Sequence, residues 1–105
     1  MTPYWALAMA IAAEVLATTA LKATDAFTKP LASMLVIVGY AIAFYVLSVA
    51  IKTIPVGVAY GIWSGMGVVL VSVLAFFIYK QSLSTVQIIG LAMIVVGVVV
   101  VNLKA

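Results

Sequence analysis

The sequence of 105 residues contains no cysteine, no histidine and no arginine, and its acidic residues are limited to Glu14 and Asp25. Without cysteine there is no disulfide bridge, and two acids on different elements cannot assemble a zinc site. We therefore expect no metal and no cofactor. No pair of nucleophile and general base stands beside Glu14, which argues against an enzyme. The five lysines are scattered rather than clustered, so a nucleic-acid partner is not expected either.

Charge is scarce along the whole chain. Charged residues make up 7% and hydrophobic residues 69%, with a mean hydropathy of +1.44, whereas soluble domains usually carry about 25% charged residues. About 18 apolar residues cross a bilayer, and four stretches have this length: residues 4–21, 31–51, 56–79 and 86–103. The connectors between them are too short for a soluble domain. The sequence predicts an all-α integral membrane protein with four transmembrane helices in one domain, residues 1–105.

Local signals mark where these helices begin. Thr2 with Pro3, Pro30 and Pro55 stand at the starts of the first three spans, and proline is favoured in the first helical turn. Ser84 is followed three residues later by Gln87, which is the spacing of a capping box. These signals support the assignment of four separate helices.

The lysines are almost balanced across the membrane. Four spans put Lys52 and Lys104 on the side of the N-terminus and Lys22, Lys29 and Lys80 on the other side. The numbers of positive charges on the two sides are nearly equal, so the positive-inside rule favours neither orientation clearly. We expect insertion in both orientations and assembly into an antiparallel homodimer, because eight helices enclose a polar cavity within lipid more readily than four.

Glu14 is the charged residue that falls inside a membrane-length stretch. An ionisable side chain at this depth costs roughly 2.5 to 3.5 kcal/mol on insertion scales, so it is expected to face a cavity, a partner or a substrate path. Leu7, Ala10 and Thr18 share its helical stripe, with Ala17 beside it. The small residues either let helices approach closely or leave room for a ligand next to the carboxylate.

Aromatic residues and glycines pattern the other helices. Tyr40 and Phe44 share one face of the second helix, where an aromatic stripe indicates either packing or, beside a buried anion, a receptor for an organic cation. The third helix carries Tyr60 and Trp63 among glycines that include Gly65 and Gly67 near mid-span; these favour either a packing seam or a hinge. Gly90 and Gly97 on the fourth helix suggest an association surface.

Taken together, these residues resemble the small multidrug resistance family of bacterial exporters over essentially the whole chain. The segments that carry the resemblance are Ala13-Glu14-Val15, Thr18-Thr19, Leu21-Lys22, Phe27-Thr28-Lys29, Ile54-Pro55 and the run from Ala59 to Gly67. The resemblance implies an antiparallel homodimer in the bacterial inner membrane. It also implies proton-coupled antiport of hydrophobic and quaternary ammonium cations by alternating access.

The same resemblance implies roles for individual residues. Glu14 would bind protons and substrate in turn. The other residues expected to line the chamber are Tyr60, Trp63, Tyr40, Phe44, Leu7, Ala10, Ala17 and Thr18. Gly65 and Gly67 would form the hinge of helix three, and Gly90 with Gly97 the dimer contact of helix four. The chain departs from the family at Ala26, where glycine is frequent, and at Gly61, where alanine is usual.

The substrate subtype is harder to assign. Guanidinium exporters of this family place a tryptophan and a serine near the glutamate, whereas this chain has Ala17 and Ala43 there. The implied unconstrained carboxylate favours bulky cations. A guanidinium or polyamine exporter of the same family is the alternative, and a non-transporting membrane assembly subunit is the alternative of a different class.

Overall fold

Four α-helices account for most of residues 3–103, the part of the chain that this computed structural model describes. Helix α1 is Pro3–Leu21, α2 is Pro30–Ala50, α3 is Val56–Ile78 and α4 is Thr85–Leu103. The prediction of four apolar, membrane-length helices is confirmed, and each helix end lies within one residue of the predicted span. Thr2 and Lys104 lie outside the described residues.

The helix starts use the devices that the sequence contains. Pro30 is the first residue of α2 and Pro55 directly precedes α3, so no backbone N–H is lost from either helix interior. At the start of α4 the Ser84 N–H donates to Gln87 Oε1 at 2.8 Å, and the Gln87 N–H donates to Ser84 Oγ at 3.2 Å. This reciprocal pair is the expected capping box, which satisfies two donors that the helix itself leaves free.

Helix α1 is the centre of the bundle. It contacts both α2 and α3, and α4 contacts α3. Glycines allow close contact between helices: a Cβ added at Gly39 of α2 would lie 2.9 Å from the Ala17 Cβ of α1, and one added at Gly65 of α3 would lie 2.7 Å from a methyl group of Val98 of α4. The buried core is formed by Ala6, Leu7, Ile11, Val15, Ala50, Ile54, Ala59, Ile62 and Trp63.

The protomer leaves much of its apolar surface uncovered. Its principal extents are 42 × 35 × 18 Å, which is thin in one direction for four helices about 10 Å wide. Helix α4 has no buried residue within Thr85–Leu103. Its exposed side chains include Ile89, Met93 and Val100. Lipid or another protein chain must therefore cover this helix.

The connector between α1 and α2 is a tight turn organised by Thr24. The buried Thr24 hydroxyl donates to the Leu21 carbonyl at 2.8 Å and accepts from the Phe27 N–H at 3.1 Å. The turn requires φ values of 48°, 59° and 65° at Asp25, Ala26 and Phe27. Residues with a Cβ disfavour this left-handed region. The geometry explains why glycine is favourable at position 26, where this chain has alanine.

Candidate functional site

The Glu14 carboxylate is held on one side by hydrogen bonds. Thr18, one turn later on α1, donates its hydroxyl to Glu14 Oε1 at 2.7 Å. The same Thr18 oxygen lies 2.6 Å from the hydroxyl oxygen of Tyr40 on α2. The expectation of an unconstrained carboxylate is therefore wrong for Oε1. Ala17 and Ala43 have no side-chain group that could hydrogen-bond to Glu14. Thr18 and Tyr40 instead provide the hydrogen bonds that restrain the carboxylate.

The second carboxylate oxygen has a different environment. Glu14 Oε2 is buried and has no hydrogen-bond partner among the described residues. It lies against Gly67 of α3, where an added Cβ would be only 2.9 Å from Oε2. Burying a polar atom without a hydrogen-bond partner is energetically unfavourable. Its free lone pairs are therefore available to a proton or to the positive charge of a ligand.

Two aromatic rings contact Trp63, which lines the same cleft as this carboxylate. Phe44 of α2 meets Trp63 edge-to-face with centroids 5.4 Å apart, and Tyr60 lies 5.7 Å from Trp63 at a tilt of 56°. Trp63 is only 9% exposed, whereas Phe44 and Tyr60 are 54% and 59% exposed. The buried tryptophan thus anchors two rings that remain accessible. Such rings attract organic cations through their electron-rich faces.

A cleft of about 370 Å³ joins the carboxylate and the aromatic rings. It lies between α1 and α3 and is lined by Glu14, Thr18, Tyr60, Trp63, Ser64, Gly67, Val68, Val71 and Ser72. Its walls combine one carboxylate with apolar and aromatic surface. The hydroxyls of Ser64 and Ser72 donate to the carbonyls of Tyr60 and Val68 within α3, so they do not compete with a ligand for Glu14.

Comparison with known proteins identifies the family. The sequence model described as Small Multidrug Resistance protein matches residues 2–94. The chain belongs to the small multidrug resistance family. Multidrug transporter PA4990 of Pseudomonas aeruginosa is 52% identical over 98% of this chain and 94% of its own. QacE of Escherichia coli, a quaternary ammonium compound-resistance protein, is 52% identical over 92% of this chain and 88% of its own, and multidrug transporter EmrE of Escherichia coli is 42% identical over 98% and 94%.

Membership of the small multidrug resistance family confirms several predictions. The protein is a multidrug efflux transporter and not an enzyme. It is a multi-pass protein of the bacterial inner membrane, in agreement with its four membrane-length helices. The alternative of a non-transporting assembly subunit is wrong, because the family consists of transporters.

The structure brings together part of the predicted small multidrug resistance site. Glu14, Thr18, Tyr60 and Trp63 line one cleft. Tyr40 reaches Glu14 through Thr18, and Phe44 reaches the cleft through its contact with Trp63. Their binding of substrate or protons stays a prediction.

Three residues of the predicted helix-one wall have other surroundings. Leu7, Ala10 and Ala17 are 2%, 0% and 3% exposed and are not among the residues that line the cleft. Ala17 instead faces Gly39 at the contact between α1 and α2. Within the protomer these side chains contribute to packing, and their predicted contact with substrate stays untested.

The predicted hinge and dimer glycines differ from one another in their surroundings. Helix α3 is continuous through Gly65 and Gly67; Gly65 faces Val98 of α4, and Gly67 faces Glu14. Gly90 and Gly97 have open space beside them on α4. Such space suits contact with another chain, but the hinge and the dimer contact both stay predictions.

Sequence reasoning missed four residues of the cleft wall. Ser64, Val68, Val71 and Ser72 continue the face of α3 that carries Tyr60 and Gly67. Extending the spacing of three and four residues from Tyr60 along the helix would have found them. Ser64 lies within the run from Ala59 to Gly67 that resembles the family, whereas valine and serine at the other positions are ordinary residues of a membrane helix.

Proposed function

We propose that the protein exports hydrophobic organic cations, including quaternary ammonium compounds, in exchange for protons. In this proposal two antiparallel copies place their Glu14 carboxylates in one chamber, where each binds a proton or takes part in binding the substrate. The observation that carries the proposal is the buried, unpartnered Glu14 Oε2 beside an aromatic-lined cleft. Within one protomer the cleft is lined by one anion and no other charged residue, which suits a positive ligand.

Competition at Glu14 accounts for exchange. A protonated carboxylate is neutral and loses its attraction for a cation, whereas an ionised one attracts either a cation or a proton. The two ligands therefore exclude each other. If the chamber opens to only one side of the membrane at a time, inward proton flow drives outward cation flow by alternating access.

The aromatic rings favour bulky cations. Phe44 and Tyr60 are more than half exposed, and both contact the buried Trp63. Aromatic faces attract cations that are poorly hydrated, because those cations lose little water on binding. The hydrogen bond from Thr18 occupies one lone pair of Glu14 Oε1, whereas Oε2 has no partner among the described residues. A guanidinium ion, which matches a carboxylate through two parallel hydrogen bonds, would share Oε1 with Thr18.

The antiparallel dimer is supported by what the protomer leaves uncovered. Helix α4 has no buried residue over its described length, and the cleft is not enclosed by one protomer. Gly97 lies in a shallow apolar groove on α4 with Ile89 and Met93. The near balance of lysines across the membrane permits both orientations. A second copy in the opposite orientation would cover α4 and close the chamber.

Transport currents in liposomes test the proposed exchange. Tetraphenylphosphonium and guanidinium would be compared under an imposed pH gradient. Glu14→Gln is the test variant, and Asp25→Asn is its matched control, since Asp25 is the other acidic residue in the chain. We expect currents with tetraphenylphosphonium that vanish in Glu14→Gln and persist in Asp25→Asn. Currents with guanidinium alone would assign the narrower subtype, and currents that survive in Glu14→Gln would refute the exchange mechanism.

Cysteine cross-linking tests the orientation of the two copies. The chain has no native cysteine, so Ile89→Cys and Val100→Cys each add a single thiol to an exposed position of α4. In an antiparallel pair of α4 helices that cross at their midpoints, residue 89 of one copy lies near residue 100 of the other. We expect disulfides when the two variants are mixed. Cross-linking of each variant only with itself would indicate a parallel pair, because 11 residues of helix are about 16 Å.

A further inference from the structure

A second cavity lies between α3 and α4, next to the cleft that contains Glu14. Its volume is about 310 Å³, and the residues that line it are Ser72, Leu83, Gln87, Gly90, Leu91 and Ile94. Ser72 also lines the cleft, so the two spaces meet at this residue. We refer to the second space as the side cavity.

The side cavity lies where α3 and α4 separate. An added Cβ at Gly65 of α3 would lie 2.7 Å from Val98 and 3.3 Å from Ile94, so the two helices touch at that level. About two turns further along α3, Ser72 borders the side cavity instead. An added Cβ at Gly90 of α4 would meet nothing within 4 Å. The gap between the helices toward the end of α3 therefore forms the side cavity.

The walls of the side cavity suit a hydrocarbon chain. None of the described residues that line it is charged, and its aliphatic surface comes from Leu83, Leu91 and Ile94. The two polar side chains in its wall have hydrogen bonds elsewhere. Gln87 Oε1 accepts in the capping box at the start of α4, and the Ser72 hydroxyl donates to a carbonyl of its own helix. A charged group therefore has no counter-charge in this wall, whereas an apolar chain has favourable contacts there.

We propose that the side cavity binds the alkyl chain of a quaternary ammonium cation whose charged head is held at Glu14. This inference rests on the proposed function. Glu14 lies against Gly67, and Ser72 follows Gly67 by five residues, which is about 7.5 Å along α3. An extended alkyl chain advances about 1.25 Å per carbon, so roughly six carbons reach from Glu14 to Ser72. The carbons that follow enter the side cavity.

The proposal makes Ser72 and Leu91 determinants of specificity for chain length. The Ser72 side chain is small and bonds to its own helix, so it leaves the passage between the two spaces open. Leu91 bounds the side cavity from α4 and is not among the residues that line the cleft. Each methylene group that leaves water for an apolar site raises affinity about fourfold. Affinity should therefore continue to rise for chains that extend past Ser72.

Displacement of bound tetraphenylphosphonium by alkyltrimethylammonium ions tests the inference, with the purified protein in mixed micelles. The ions compared are hexyltrimethylammonium and decyltrimethylammonium. The measured quantity is the chain-length preference, defined as the affinity for the decyl ion divided by the affinity for the hexyl ion. Partition of the ions into micelles is the same for every protein, so it cancels when a variant is compared with the wild type.

Three variants are needed. Leu91→Trp fills the side cavity from α4 without changing a residue of the cleft wall. Ile88→Trp is its matched control, because Ile88 lies on the same helix, is exposed and lines neither space. Ser72→Leu is a second test variant, which narrows the passage from α3.

We expect Leu91→Trp to bind tetraphenylphosphonium and the hexyl ion as the wild type does. It should bind the decyl ion about tenfold or more weakly, because at least two methylene groups lose their space. Ser72→Leu should lower the chain-length preference by a similar factor, and this ratio is insensitive to any uniform change in affinity at the cleft. Ile88→Trp should keep the wild-type preference.

An unchanged chain-length preference in both Leu91→Trp and Ser72→Leu would overturn the inference and leave the side cavity to a lipid chain. An equal fall of the preference in Ile88→Trp would also overturn it, because the effect would not come from the side cavity. If Leu91→Trp does not bind tetraphenylphosphonium, the preference of Ser72→Leu decides. Tetraphenylphosphonium binding that is the same in the wild type and Glu14→Gln would instead refute the proposed function; with that difference intact, an unchanged preference rejects the chain site alone.

Discussion

Gly67 of α3 lies directly against the Glu14 carboxylate of α1. A Cβ at position 67 would be 2.9 Å from Glu14 Oε2 and 3.7 Å from the carboxylate carbon. Glycine at this position therefore provides the space that the second carboxylate oxygen occupies. This role does not require α3 to bend, and it differs from the hinge expected from the sequence.

Replacing Gly67 by alanine should displace the carboxylate with little effect on the fold. The atom that the new methyl group would meet is the end of a flexible side chain, so Glu14 can turn aside. We expect tetraphenylphosphonium binding to weaken about tenfold or more, which corresponds to ~1.4 kcal/mol. Gly61→Ala is the control, since nothing lies within 4 Å of its added Cβ. Equal affinities of the two variants would contradict this role of Gly67.

The contact between α1 and α2 should be sensitive to Gly39. An added Cβ would lie 2.9 Å from the Ala17 Cβ and 3.5 Å from the Ala17 Cα, and neither atom can move without its helix. We expect Gly39→Ala to lower the free energy of unfolding in mixed micelles by about 1 to 3 kcal/mol. Gly57→Ala meets nothing within 4 Å and should leave the stability unchanged or slightly higher. The reverse order of the two variants would refute the close packing at Gly39.

The turn after α1 should be stabilised by glycine at position 26. Ala26 has φ 59°, in a region that costs roughly 1 to 2 kcal/mol for a residue with a Cβ. We expect Ala26→Gly to raise the free energy of unfolding by about 1 kcal/mol, since glycine adopts this conformation readily. Ala23→Gly provides the contrast, because Ala23 lies in the 3-10 turn Lys22–Thr24 and is not at positive φ. It should be neutral or destabilising in the same unfolding measurement.

Tyr79, which directly follows α3, links the C-terminal end of that helix to the C-terminal end of α1. Its hydroxyl donates to the Thr19 carbonyl at 2.6 Å, and the Lys22 ammonium lies 5.8 Å from the centre of its ring. The Thr19 carbonyl is among the last four of α1, which have no partner further along that helix. Tyr79→Phe keeps the ring and should lower the free energy of unfolding by about 0.5 to 1.5 kcal/mol.

Tyr45→Phe is the control for this prediction. Tyr45 is 71% exposed, and its hydroxyl has no hydrogen bond among the described residues, so its removal should leave the stability unchanged. If both variants unfold under the same conditions as the wild type, the bond between Tyr79 and Thr19 contributes nothing measurable.

The candidate site was predictable from the sequence only in its centre. A carboxylate inside an apolar span is costly, which singles out Glu14, and Tyr60 and Trp63 stand out as aromatic residues among the glycines of the third helix. The partner of the carboxylate was not predictable in the same way. Thr18 shares its helical stripe, but the hydrogen bond from Tyr40 depends on how α2 rotates and crosses α1. Leu7 shares the stripe as well and is buried in the core.

The sequence by itself determined the number of helices, their ends and their membrane location. These properties depend on length, hydropathy and local capping, as at Pro30 and Ser84. Each of these determinants involves residues that are near one another in the sequence. Only the tertiary structure decided which side of each helix meets which neighbour. It separated Gly65, which faces α4, from Gly67, which faces Glu14. A spacing of three or four residues defines a stripe on a helix, but the rotation and crossing of neighbouring helices, which packing determines, decide what that stripe contacts.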